Sequence, residues 1–326
     1  MLHIQRALGF AFTLLSALAG TAGAQQAYPS KPIRIIVPYA PGGATDIMGR
    51  VVSQRLTEIL GQPIVIENKP GANTAIGADL VAKSPADGYT LMFTNDATFV
   101  LNPALMPALS YNMARDFVPV ATVAYLNLVM VVSSTQPANN FAELVAWTKA
   151  KSGSISYGSY GVGSQAHLMG EMYKKLTATD IVHVPYKGSA PAVADVIGGQ
   201  VVFTFPAIPT VQGFVKAGKL KVLAISGEKR SSVLPDVPTF TELGFKDLDI
   251  GAWYAFFAPA GTPREIVARL NAAVSTMLSN QEFVEKQLIP QGMIPMNLST
   301  DRVGALMKSE AERMTRIVRL SGAKVE

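Results

Sequence analysis

The 326-residue sequence contains no cysteine, which excludes disulfides, a lipid-anchoring thiol and a thiolate nucleophile. Histidine is nearly as scarce, with three in all. His167 and His183 lie outside the N-terminal leader, too far apart to share a helix turn, so no metal-ligand spacing is present. A serine hydrolase needs a Ser, a His and an acid, and the G-x-S-x-G elbow is missing. Charge is sparse at 16% of residues, against 49% hydrophobic. The net charge is +5, but Lys and Arg are scattered without runs or interleaved aromatics, which excludes nucleic-acid binding as a class. Long apolar runs are absent too. The longest, Ala7–Ala19, is shorter than the roughly 20 residues a membrane span requires, so no stable membrane insertion is expected.

What remains is an exported α/β protein that needs no cofactor and no metal. Arg6, the apolar run and the small residues Ala22-Gly23-Ala24 read as a signal peptide over residues 1–24, cleaved after Ala24 to give a periplasmic protein. Beyond it, short apolar runs alternate with amphipathic stretches, the pattern of parallel strands joined by helices. Ile33–Val37 reads as a strand. Met48, Val52, Leu56 and Ile59 share one face of the helix that follows, which has a polar start at Thr45 and Asp46 and a C-cap at Gly61. Pro63–Glu67 reads as a buried strand, Tyr89–Phe93 as a third, and Val201–Phe205 as one of several in the middle of the chain. Two β-rich stretches, Phe117–Ser133 and Ile250–Ala258, exceed a usual strand. Each is read as a crossover between domains. Lobe 1 is then 25–123 and 251–326, and lobe 2, inserted between them, is 124–250.

Two stretches place glycines between a strand and a helix. In Val37-Pro-Tyr-Ala-Pro-Gly-Gly-Ala-Thr-Asp46, Pro41, Gly42 and Gly43 precede the helix and Asp46 sits in its first turn. In Tyr157-Gly-Ser-Tyr-Gly-Val-Gly-Ser-Gln-Ala-His167, Ser164 is placed as N-cap and His167 three residues on. Such junctions expose unpaired backbone N–H groups and suit an anion. Facing each other across a cleft, they would clamp it without the desolvation cost of a buried arginine. Ser159 and Ser164 mark the second loop as the stronger jaw. A dinucleotide fingerprint is echoed by Gly158-x-x-Gly161-x-Gly163, but no acid ends the next strand, and neither loop carries the Gly-Lys-Ser/Thr of a P-loop. Asn95 follows the third strand at the end where α/β sheets bind ligands. Tyr186 in Val184-Pro-Tyr-Lys-Gly188 can line the cleft, and Phe205 and Ala207 can set the pocket's shape. Trp147 reads as a helix-face residue and Trp253 as core.

Together with Leu234-Pro-Asp-Val-Pro-Thr239 and Trp253–Pro263 (WYAFFAPAGTP), these stretches resemble the Bug (Bordetella uptake gene) receptors. Those are the extracytoplasmic solute receptors of tripartite tricarboxylate transporters. The resemblance covers the whole chain beyond the leader. It implies a two-lobed, type II periplasmic-binding-protein fold, with two mixed or parallel sheets, flanking helices and a hinge of crossover strands. It also implies a monomer that closes like a flytrap on a small organic anion, a mono- or dicarboxylate, and delivers it to membrane permease subunits. Ser159, Gly163, Ser164 and His167 correspond to the loop that grips a ligand carboxylate. Tyr39, Pro41, Gly42, Gly43 and Asp46 correspond to the loop approaching from the other side. Phe205-Pro206 stands where relatives carry a polar residue, which favours an apolar or aromatic carboxylate. Two other classes use the same cleft: an exported enzyme of carboxylate metabolism, revealed by turnover, and a sensor docking on a signalling protein.

Overall fold

The computed structural model describes residues 28–323 except residue 107; the leader and its cleavage after Ala24 lie outside the described residues. Of the two compact units of the chain, Met1–Ser30 and Lys31–Glu326, everything below belongs to the second.

Among the described residues, eleven strands form two sheets. The first contains β1 (Ile33–Val37), β2 (Ile64–Asn68), β3 (Thr90–Asn95), β4 (Phe117–Asn127), β10 (Gly251–Pro259) and β11 (Met293–Pro295), in the order β11-β4-β10-β3-β1-β2. The second contains β5 (Val129–Ser133), β6 (Ser156–Ser159), β7 (Val182–Pro185), β8 (Phe203–Thr204) and β9 (Leu220–Ile225), in the order β7-β6-β8-β5-β9. Both are mixed. β1 runs parallel to β2 and β3, while β10 is antiparallel to β3 and β4; β6 is parallel to β7 and β8, while β5 is antiparallel to β8 and β9. The chain therefore has two lobes.

The chain passes from the first sheet to the second at Leu128, the single residue between β4 and β5, and is back in the first sheet at Gly251. The over-long apolar stretch Phe117–Ser133 is thus two strands, one per sheet. Every residue of β10 is buried, as expected of a strand with partners on both sides and cover on both faces. Trp253 is 1% exposed, and Phe93 packs against Phe256 with ring centres 4.6 Å apart. In the second lobe Val129, Val131, Val193 and Val196 form the core, extended by Tyr157, Phe203 and Phe205.

The helices of eight or more residues are α1 (Ala44–Leu60), α2 (Ala75–Ala82), α3 (Phe141–Ala150), α4 (Gln165–Thr177), α5 (Ser189–Ile197), α6 (Ile208–Lys216), α7 (Arg264–Ser279) and α8 (Thr300–Ser321). α1 buries Met48, Val52 and Leu56 and ends on Gly61 in the left-handed conformation, as its pattern predicts. Its start differs from the sequence reading. Gly43 is the N-cap, without a side-chain hydrogen bond, and the helix begins at Ala44 rather than at the polar Thr45 and Asp46. The strand expected to be buried over Pro63–Glu67 is β2, at a sheet edge, where Val65 is 54% exposed. Its apolar composition suits a pleated surface but does not say which face is covered. Val201–Phe205 contributes only Phe203–Thr204 to the second sheet.

Candidate functional site

Four chain segments meet between the sheets: Gly43–Thr45 at the start of α1, Asn95 at the end of β3, Ser189 at the start of α5, and Ala207, the N-cap of α6. With Tyr39, Leu128, Tyr160 and Tyr254 they enclose a chamber of about 20 Å³, room for about one water. The N-caps of α1, α5 and α6 (Gly43, Gly188 and Ala207) make no side-chain hydrogen bond. Each helix start keeps first-turn N–H groups without an intrahelical partner and carries about half a positive charge. No Lys, Arg, Asp or Glu lines the chamber, so its positive character comes from peptide dipoles. Burial raises the pKa of Tyr39, Tyr160 and Tyr254, which keeps all three as neutral hydroxyls. The Tyr39 hydroxyl donates to Asn95 Oδ1 at 2.8 Å. Such an arrangement of neutral donors and helix starts suits a small anion.

The glycine loop of the second lobe is organised differently. The Ser159 hydroxyl donates to the Gly161 carbonyl at 3.0 Å and lies 2.7 Å from His183 Nε2. The Ser164 hydroxyl donates to the same carbonyl and accepts from His167 N, capping α4. Gly163 N donates to His167 Nδ1 at 3.0 Å. His167 stacks on His183 at 4.1 Å, and His183 on Tyr157 at 5.0 Å. Burial lowers the pKa of both histidines, with Glu171 opposing at His167 and Lys174 reinforcing at both; His183 falls to about 3. In this structure the side-chain bonds of Ser159 and Ser164 and the Gly163 N–H are taken up by the loop, His167 and His183. Their hydrogen bonds are closed on one another, and they hold the loop's shape.

Other expected residues also serve the frame. Asp46 is buried and accepts from Gly42 N at 3.0 Å, from Arg50 and from Asn68. Burial alone would raise its pKa, but these bonds outweigh it and hold the carboxylate below its usual value. Pro41 and Gly42 sit exposed at the rim. Phe205 is wholly buried against Phe203 and Phe240. It is second-lobe core, so the inference of an apolar pocket drawn from it loses its basis. Tyr39, Gly43, Asn95 and Ala207 are brought together in the chamber. Tyr186 lines a separate cavity of about 360 Å³ that shares Tyr39 and Tyr160 with the chamber.

The lobes touch around this site. Ala40 N donates to the Lys187 carbonyl at 3.1 Å, and a Cβ placed on Gly43 would lie 2.8 Å from Ser189 Oγ. The first-lobe loop therefore meets the turn after β7 and, through Tyr39, the other glycine loop at Tyr160. Tyr39 and Tyr160 pack edge to face at 6.2 Å. The Tyr160 hydroxyl donates to Gln165 Oε1, and Gln165 Nε2 donates to Asp96 Oδ1 at 2.6 Å. Burial, aided by Glu310 and opposed by Arg313, raises the Asp96 pKa well above the usual range, and its Oδ2 has no hydrogen-bond partner among the described residues. The sequence marks Asp96 beside Asn95 and Thr45 at the helix start, whereas Tyr160, Ser189, Tyr254 and Gln165 are not singled out by it. Tyr160 and Gln165 lie inside the second glycine motif and Ser189 directly after Gly188, so their neighbourhood carried a signal. Tyr254 did not: only its pairing with Asn95 across β10 and β3 places it.

Among the described residues no group of three or more His, Asp or Glu could hold a metal ion, and no helix is long and apolar enough to cross a membrane. Residues 48–322 match the profile of the tripartite tricarboxylate transporter family receptor. The chain is 38% identical over 300 residues to BugT of Bordetella pertussis, an alignment covering 92% of each chain. An R. palustris protein solved with adipate superposes with a TM-score of 0.88 at 32% identity, covering 91% of this chain and all of that one. MatC of Rhodopseudomonas palustris, solved with bound malate, gives 0.84 at 32% identity, over 89% of this chain and all of its own. This chain belongs to the family of tripartite tricarboxylate transporter receptors.

Proposed function

We propose that the protein is the periplasmic receptor of a tripartite transporter, exported by a leader cleaved after Ala24. It captures a small organic carboxylate between its lobes and delivers it, chemically unchanged and as a monomer, to membrane permease subunits. One observation carries this reading: three helix starts without side-chain caps converge on a chamber lined by neutral donors and by no charged side chain. Dipoles and backbone N–H groups there can neutralise one carboxylate without burying a cation. The relatives solved with adipate and malate support carboxylates as the ligand class. The strand switches at Leu128 and Gly251 support lobes of 25–123 with 251–326, and 124–250. A thermal-shift and calorimetric screen of mono-, di- and tricarboxylates tests the proposal. A true ligand at a hundredfold excess over its Kd stabilises the fold by about 2.7 kcal/mol. Stabilisation by neutral sugars or cations, with none by any carboxylate, refutes it, as does turnover of the bound acid.

A further inference from the structure

The chamber at the helix starts is too small for a whole ligand. Its 20 Å³ accommodates about the space of one water, so it takes the oxygens of a carboxylate and the body must lie elsewhere. The neighbouring cavity, about 360 Å³, falls within the range of small-molecule sites. It meets the chamber at Tyr39 and Tyr160, whose rings pack edge to face at 6.2 Å and 80°. Apolar and aromatic residues dominate its lining, with Pro38, Met106, Val162 and Pro185 beside the two tyrosines and Tyr186, while Asn73, Thr74 and Lys187 add polar groups at its edge.

One wall is also held in a costly conformation. Ala72, Asn73 and Thr74 are consecutive non-glycine residues with φ of 44°, 42° and 78°, a left-handed run that such residues rarely adopt. Asn102 Nδ2 pins it by donating to the Asn73 carbonyl at 2.6 Å and to Thr74 Oγ1 at 3.2 Å. Backbone strain of this kind persists where the surroundings over-determine it and clusters at ligand sites.

We propose that this cavity is the subsite for the ligand's body. The receptor then selects carboxylates carrying an aryl ring or an extended hydrocarbon chain over two- to four-carbon acids. The inference rests on the carboxylate reading above. Acetate and benzoate make a clean pair of probes, because they share a charge and a head group and differ only in body. Burying a phenyl ring is worth about a factor of ten or more in affinity.

Titration calorimetry on the whole protein should show benzoate, and adipate with it, binding at least about tenfold more tightly than acetate. Val162→Trp, which fills the cavity, should bring the benzoate-to-acetate ratio close to one. Met106→Trp fills it from the other side and serves if the first variant does not fold. A ratio near one in the unaltered protein overturns the subsite, and so does a ratio that survives in a folded, filled variant. If acetate, benzoate and adipate all fail to bind while another carboxylate in the screen does, only the subsite falls; if no carboxylate binds, the carboxylate reading falls with it. If the three bind without preference, only the subsite falls.

Discussion

The turns Ala40–Gly43 and Gly158–Ser164 are both strand-to-helix junctions rich in glycine, yet they use their donors in opposite ways. The second carries two serines and a nearby histidine, and these satisfy the loop itself: Ser164 caps α4, Ser159 ties the turn, and His167 accepts from Gly163. The first has no side chain able to cap α1, so the helix start stays open toward the chamber. Its acid, Asp46, turns back on Gly42 and Arg50. Hydroxyls next to a helix start are the first partners its orphan N–H groups find. A loop without them leaves those groups to a ligand.

Gly43→Val puts this contrast under the greatest strain. Its Cβ would meet Ser189 Oγ at 2.8 Å, forcing that hydroxyl to turn away, and the valine branches would fill the space at the open helix start. Ligand affinity should fall by about two orders of magnitude, the scale of losing two good hydrogen bonds to a charged group, while the melting temperature without ligand stays close to that of the parent. Affinity within threefold of the parent by calorimetry would break the assignment of the open jaw.

In the closed loop the order of effects should reverse. Gly163 has φ +82°, so Gly163→Val costs about 1–2 kcal/mol in backbone strain, and Ser164→Ala about 1 kcal/mol as a lost cap. Denaturant melts should register both, with bound-state affinity changing far less than in Gly43→Val. A selective loss of binding with unchanged stability would restore this loop as the gripping jaw.

The smallest expected effect comes from pH. His167 and His183 are held neutral in the fold by burial, with Lys174 and their mutual contact adding at His183. The unfolded chain takes up protons at both below the ordinary histidine value of 6.5. Folding is thus favoured fully above pH 6.5, and the advantage drains away as pH falls through 6.5 toward the lowered values. Protonation at Nδ1 would also remove the acceptor used by Gly163 N. A melting temperature that drops between pH 7.5 and 5, in the unaltered protein more than in His167→Gln, is the expected record. A curve equally flat in both would mean that the stacked pair titrates freely.

Much of the frame was legible in the sequence, because period and punctuation are local. Met48, Val52 and Leu56 mark one buried helix face, and the stretch around Leu128 is too long for a single strand. The site was legible only where one segment suffices, as at Gly43 and Asn95. Tyr254 reaches the chamber through its register with Asn95, and Ser189 through closure on Gly43; both depend on distant parts of the chain. Ser159 and Ser164 are ambiguous for a related reason. A hydroxyl in a loop is equally well placed for a ligand and for its own backbone, and composition does not say which partner is nearer. Phe205 is ambiguous in the same way: an aromatic beside a strand end can line a pocket or fill the core, and here it packs on Phe203 and Phe240.

Leu128 has a mechanical consequence. It is the one residue between β4 and β5, it exchanges hydrogen bonds with Ser226 (Leu128 N to Ser226 Oγ, Ser226 N to the Leu128 carbonyl), and its side chain forms part of the chamber wall. Any rotation of one sheet against the other turns about this neighbourhood, so atoms resting on Leu128 sweep the shortest arc. Lys187 and Ala40, at the lip, sweep a longer one. A carboxylate seated near the axle is already in register before the lip arrives, and the far contact between Ala40 and Lys187 acts at the longer lever arm. A substitution at the lip would then act mainly on how firmly the lobes stay together, and one at Leu128 on the seat of the carboxylate itself.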